Sequence, residues 1–253
     1  TTGSFQSTNA DFDPGPGTQS LSSNGLYDVY LTKLDSFGNF VWVKQFGGSY
    51  ADHGYAMQVD PWGGIYLGGA YGTTVDFDPN GGTFNLTVNG GVDAFLTKLD
   101  TSGNFIWAKS FGSAWDDRIN CMRMDVNANI YLSGFFGGTV DFDPSGGNFL
   151  LSAVNGGYSD PFILKLDAAG DFVNAVAFGG PSYDYSVDLA LDPLGNIIVT
   201  GELNSTGDFD PGIGVYNLSS AGSTDIFILH LDPAMNFQGA HRIGGPQADA
   251  VKA

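Results

Sequence analysis

The stretch Ala94-Phe-Leu-Thr-Lys-Leu-Asp100-Thr-Ser-Gly-Asn104-Phe-Ile-Trp-Ala-Lys-Ser-Phe111 reads as two short strands around a tight turn. The Asp opens the turn with a carboxylate that can accept backbone N–H groups, and the Gly near its end supplies positive φ. The same phrase returns along the chain. Tyr30-Leu-Thr-Lys-Leu-Asp35, Phe162-Ile-Leu-Lys-Leu-Asp167 and Phe227-Ile-Leu-His-Leu-Asp232 repeat its first half, and Phe46-Gly-Gly, Phe111-Gly-Ser, Phe178-Gly-Gly and Ile243-Gly-Gly mark its end. Between these landmarks Asp-Phe-Asp-Pro occurs at 11–14, 76–79, 141–144 and 208–211, spaced by 65, 65 and 67 residues. Self-similarity at a fixed period marks a repeat architecture.

One repeat holds four strand candidates. Gly54–Asp60 alternates Tyr55, Met57 and Val59, Ile65–Tyr71 follows the turn at 61–64, and the stretch quoted above supplies the third and fourth. Turns of the same type recur at Asp35-Ser-Phe-Gly-Asn39 and Asp192-Pro-Leu-Gly-Asn196. Two antiparallel hairpins per unit, with no helical spacing, predict an all-β β-propeller of four-stranded antiparallel blades, an arrangement that limits exposed edges. The expected units are a partial blade at 1–48, blades at 49–113, 114–180 and 181–245, and the start of a next blade at 246–253. Both ends fall inside blades. This predicts a segment of a longer array, in a ring of about seven or eight blades, with further blades of the same chain or neighbouring copies as partners. About 65 residues exceed the usual 40–50 of a blade. The surplus lies between the second and third strands, where Thr83–Val88 predicts a small extra hairpin.

The order of an apolar strand ending in Gly, then Asp-Phe, then Asp93-Ala-Phe-Leu-Thr-Lys-Leu-Asp100, Gly103-Asn-Phe-Ile-Trp107 and Phe-Gly-Gly resembles the bacterial SBBP repeat, a family named for seven-bladed β-propellers. The resemblance covers nearly the whole chain and implies a secreted or bacterial cell-surface protein. Two departures stand out: the Asp-Phe-Asp-Pro insertion, and Asn174 and Gly239 where earlier copies carry Trp42 and Trp107.

Acidic residues outnumber basic ones 27 to 9, a net charge of −18 that repels phosphate backbones and anionic headgroups. Nucleic acid and membrane insertion are therefore not expected. No apolar run approaches the length of a spanning helix. The single cysteine, Cys121, sits in a strand candidate beside Met122 and reads as a buried thiol.

Two columns of acids carry the candidate chemistry. Asp11/Asp13, Asp76/Asp78, Asp141/Asp143 and Asp208/Asp210 offer hard oxygen ligands to Ca²⁺. Alternatively, the first Asp caps a turn and the Phe between them plugs the space between blades. Asp52, Asp117, Asp184 and Asp249 each follow the Phe-Gly-Gly phenylalanine or its equivalent by six residues. With the first strand innermost they would ring the mouth of a central channel and hold a cation or a basic ligand; otherwise they cap the crossover between blades. Lys33, Lys98, Lys165 and His230 share one position and are expected to pair with neighbouring Asp side chains.

Three histidines without metal-ligand spacing, and no Gly-x-Ser-x-Gly elbow, leave no catalytic constellation. The expected function is a non-catalytic binding, display or structural module that meets other surface proteins or glycans. The alternatives are the propeller domain of a polysaccharide-degrading enzyme and a subunit of a surface filament or secretion complex.

Overall fold

The computed structural model describes residues 1–154 and 158–252, and all its regular structure is β. The first blade contributes β1 (Thr2–Phe5), β2 (Ala10–Asp11), β3 (Ser20–Leu21), β4 (Asp28–Leu34) and β5 (Phe40–Phe46). The second contributes β6 (His53–Val59), β7 (Ile65–Tyr71), β8 (Val75–Asp76), β9 (Asn85–Leu86), β10 (Asp93–Leu99) and β11 (Phe105–Phe111). The third contributes β12 (Arg118–Met124), β13 (Ile130–Phe136), β14 (Thr139–Asp141), β15 (Leu150–Ser152), β16 (Asp160–Leu166) and β17 (Phe172–Ala177). The fourth contributes β18 (Tyr185–Leu191), β19 (Ile197–Leu203), β20 (Thr206–Asp208), β21 (Asn217–Ser219), β22 (Asp225–Leu231) and β23 (Phe237–Ile243).

These strands form antiparallel sheets in the orders β1-β4-β5, β6-β7-β10-β11, β12-β13-β16-β17 and β18-β19-β22-β23. The chain is thus a segment of β-propeller with three complete four-stranded blades and one three-stranded sheet. Expected and observed strands of the second blade agree to within a residue.

The Asp-x-x-Gly-Asn turns close as their residue types demand. Asp100 Oδ1 accepts the N–H groups of Ser102 (2.8 Å) and Asn104 (2.9 Å), and the Asn104 amide donates to Oδ2 (2.8 Å). Gly103 takes φ +77° to permit this. Ala128 and Met235 hold the same left-handed position without being glycine, at φ +61° and +66°.

The first strands β6, β12 and β18 pack against one another from blade to blade, which makes them the innermost strands. The second strands β7 and β13 are enclosed on both faces, whereas β19 alternates between buried and half-buried residues. Every residue of β7 is buried, whereas β11 alternates, as expected of an outer strand. The apolar core lies between blades: Val29, Leu31 and Phe46 of the first share one cluster with Leu67, Phe77 and Phe95 of the second. Single blades therefore have no core of their own, the condition under which repeats become stable only by stacking.

The insertion forms an extra hairpin in every blade, β2-β3, β8-β9, β14-β15 and β20-β21. Its Phe enters the wedge between blades. Phe77 meets Phe46 of the preceding blade (6.0 Å between ring centroids), Tyr71 (5.7 Å) and Phe95 (4.9 Å). Phe84, Phe149 and Tyr216 then pin the hairpin to the fourth strand of its own blade through Phe105, Phe172 and Phe237.

The Lys/His column behaves differently from expectation. Among the described residues Lys98 alone of this column meets an Asp, Asp60 at 3.6 Å, while also covering the Tyr66 ring. Lys33 donates to the Thr101 carbonyl (2.6 Å), Lys165 lies over Tyr131, and His230 faces His241. A cation lying over an aromatic face needs no carboxylate beside it.

Candidate functional site

Each Asp-Phe-Asp-Pro acid commits one oxygen, Oδ1, to its own loop. Asp76 Oδ1 accepts the N–H groups of Asp78 (3.0 Å) and Phe84 (2.8 Å), and Asp78 Oδ1 accepts that of Asn80 (3.0 Å). Asp11, Asp141 and Asp208 make the same pair of bonds, and Asp13, Asp143 and Asp210 the same single one. Among the described residues no three Asp, Glu, His or Cys side chains converge into a metal cage. The turn-capping alternative accounts for the Oδ1 atoms of these residues. Excess EDTA is expected to leave the melting temperature unchanged. Asp76→Ala is expected to lower it by about 2–4 °C through the two N–H groups it strands.

Three of the four acids of the second column are buried, and Asp249 is half-buried. Asp52, Asp117 and Asp184 are 1%, 2% and 2% exposed. Each ties the crossover together: Oδ2 accepts the N–H four residues earlier, from Gly48, Ser113 and Gly180, and Oδ1 accepts one twenty residues later, from Gly72, Gly137 and Asn204. Asp249 repeats the first bond with Gly245. A carboxylate committed to backbone on both oxygens fixes the chain path and offers no surface to a ligand.

With its oxygens so placed, Asp52 does not form a dyad with His53. The imidazole instead bonds Ser4 Oγ (2.9 Å), and burial lowers its pKa. Cys121 is buried on β12, its thiol pushed up to about 12 by burial and by the Asp188 carboxylate that it bonds.

What the repeat does not fix lies on either side of Asp117 and Asp184. Between the third and fourth blades opens a cleft of about 350 Å³ lined by Trp115, Asp116, Phe135, Tyr158, Tyr183 and Tyr185, with Ser159 at its edge. The two crossovers deliver Trp115, Asp116 and Tyr183, the end of β13 delivers Phe135, and the start of β18 delivers Tyr185. Trp115 and Tyr183 are 52% and 48% exposed.

The cleft is held in shape by its surroundings. The Trp115 N–H donates to Ser113 Oγ (3.0 Å), and Asp116 Oδ1 accepts the Val92 N–H (3.0 Å). Gly137 lies so close that an added methyl would collide with the Trp115 side chain. Tyr158 and Tyr183 meet edge to face at 5.0 Å, and Phe135 meets Tyr185 at 5.4 Å. The aromatic row continues past the cleft, where the Arg118 guanidinium lies between the rings of Tyr55 and Phe135 at 4.6 and 4.9 Å.

Large rings with a carboxylate and hydroxyls at the rim stack against apolar faces and hydrogen-bond polar edges. The lining holds no nucleophile paired with a base. The signal that could have found this site was the divergent columns of the repeat. Positions 51, 116, 183 and 248 read Ala, Asp, Tyr and Ala, and positions 53, 118, 185 and 250 read His, Arg, Tyr and Ala.

No family model matches the chain. It is similar to an uncharacterized WD repeat-containing protein of Acanthamoeba polyphaga mimivirus, 26% identical over 211 residues that cover 76% of this chain and 15% of that protein. It is also similar to the regulatory protein FlaEY of Caulobacter vibrioides, 27% identical over 156 residues that cover 59% of this chain and 16% of that one. The chain therefore spans a small part of the curated relatives it matches. With stacked four-stranded antiparallel blades and a WD repeat-containing relative, it is a repeat protein of the β-propeller kind.

Proposed function

We propose that this chain is a non-catalytic binding segment of a larger propeller, working outside the cell or on a bacterial surface, whose cleft between the third and fourth blades takes a neutral glycan. The observation that carries the reading is the concentration of exposed aromatic rings and one rim carboxylate at positions where the repeats differ. Stacked rings suit the C–H faces of sugar rings, and the carboxylate suits their hydroxyls. A net charge of −18 favours neutral over acidic ligands. The finer family, the SBBP repeat, and its secreted setting rest on the motif strings around Asp93–Phe111. A ring of about seven or eight blades is the completion that fits those strings.

A glycan array probed with the protein tests the ligand class. Neutral glycans are expected to be retained and uronic-acid polymers not. Retention of acidic glycans alone, or of none, would overturn the reading.

A further inference from the structure

The third strand of every blade opens on an acid that the sequence reading passed over: Asp28, Asp93, Asp160 and Asp225. All four are 0–1% exposed. In each, Oδ2 accepts a backbone N–H, from Asn24, Asn89, Val154 and Ala221 respectively. In each, Oδ1 is sealed from solvent with no hydrogen-bond partner among the described residues. The crossover acid lies 24 residues further on in every copy, giving the pairs Asp28/Asp52, Asp93/Asp117, Asp160/Asp184 and Asp225/Asp249.

The copies differ in what faces the pair. The residue on the fourth strand that pairs with the third residue of the third strand is Gln45, Ser110, Ala177 and Arg242 in turn. In the fourth blade the Arg242 guanidinium bonds Asp225 Oδ2. In the first the Gln45 amide donates to Asp28 Oδ2 (2.6 Å). In the second Ser110 is engaged with the Tyr71 hydroxyl, and in the third Ala177 has nothing to give.

We infer that the pairs Asp93/Asp117 and Asp160/Asp184 each bind one proton, which makes the stacking of the second and third blades a pH-sensitive lock, tight when protonated and loosened as pH rises. Two buried carboxylates cannot both stay ionised without a compensating positive charge. Among the described residues no three ligating side chains meet at these pairs, and the orphan oxygens are sealed from solvent, so no metal cage supplies that charge.

The other titratable groups near these pairs are the phenols of Tyr71 and Tyr185, with Asp52 near the first and Glu202, Tyr183 and Arg118 near the second. Tyr71 faces Asp93 and Asp52, and Tyr185 lies beside Asp184; both are pushed up, chiefly by burial. None of the four acids has a Lys, Arg or His partner among the described residues. Hydrogen bonding places the proton within each pair. Asp117 and Asp184 accept backbone N–H groups on both oxygens and Asp93 and Asp160 on Oδ2 alone, so each pair shares its one proton, with Oδ1 of Asp93 and Asp160 the oxygen that no donor occupies.

Burial raises Asp93 and Asp184 to about 6 and Asp117 and Asp160 to about 7, with the partner carboxylate adding to Asp117 and Asp160. At Asp225 burial pushes the same way, but the Ala221 N–H and Arg242 outweigh it and the carboxyl lies below its ordinary value. A carboxyl raised on folding contributes stability that is complete below its unfolded value and lost as pH rises through its folded value. The window is therefore from about pH 4 to about pH 8.

Urea unfolding of the protein across that window tests the inference. The folding equilibrium constant is expected to fall at least about tenfold between pH 5 and 8. Asp93→Asn with Asp160→Asn, which mimic the protonated acids, should flatten the profile and make the protein more stable than wild type at pH 8. Ala177→Arg, which copies the fourth blade, should raise stability at pH 8 and not at pH 5. A flat wild-type profile, or variants that keep its slope, would overturn the proposal. So would a stabilisation by CaCl₂ at pH 8 that EDTA reverses, which would make the ligand a metal ion.

Discussion

Replacing Phe142 by alanine is expected to destabilise the protein by about 4 kcal/mol, the loss typical of emptying a buried aromatic site. Phe142 is the third-blade copy of the insertion phenylalanine and is 1% exposed. Its ring meets Phe111 of the preceding blade at 6.3 Å and Phe136 and Phe162 of its own at 5.3 and 4.9 Å. Truncation would open a cavity where two blades diverge, and rigid sheets on both sides limit its collapse. The chain contains its own control. Phe12, the first-blade copy, is half-buried and meets only Phe5 and Tyr30, so Phe12→Ala should cost clearly less. Equal losses in urea unfolding would show that the insertion does not act as an inter-blade wedge.

Gly134→Ala is the second large effect, at about 3 kcal/mol or complete failure to fold. Gly134 lies where β12 bulges against β13, and its missing side chain lets the Arg118 carbonyl pass through the space a methyl would occupy. The obstacle is backbone on a neighbouring strand, which cannot rotate away as a side chain would. Gly69 and Gly201 meet the carbonyls of His53 and Tyr185 in the same way, so the constraint belongs to the repeat. Gly239→Ala in β23, where an added methyl meets nothing within 4 Å, should be neutral or slightly stabilising. Comparing the two melting temperatures separates close approach from loss of glycine as such.

The fold was legible because the residues that set it act locally and recur. Asp100, Gly103 and Asn104 dictate their turn wherever they stand, and the 65-residue beat of Asp-Phe-Asp-Pro marks the blades. Burial was less legible. Asp52 and Asp117 could equally have faced a channel or capped a crossover, because the choice depends on which neighbouring loop brings Gly72 or Gly137 to them. Asp93 and Asp160 were hidden inside a motif that reads as a strand, since nothing in Asp-Ala-Phe or Asp-Pro-Phe announces that one oxygen will lack a donor. The calcium and channel-mouth expectations rest on repetition, and the bonds seen at those acids run to their own loops and crossovers. Here the repeated acids tie turns and crossovers, and the proposed binding cleft is lined by Trp115, Asp116, Tyr183 and Tyr185, where the copies part company.

That division is tested most directly by calorimetric titration of the neutral oligosaccharide retained best on the array against wild type, Trp115→Ala with Tyr183→Ala, and Asp76→Ala. The cleft variant is expected to bind at least about tenfold more weakly with an unchanged melting temperature. Asp76→Ala is expected to melt earlier and bind as wild type does. Undiminished affinity in the cleft variant, or loss of binding confined to Asp76→Ala, would contradict it.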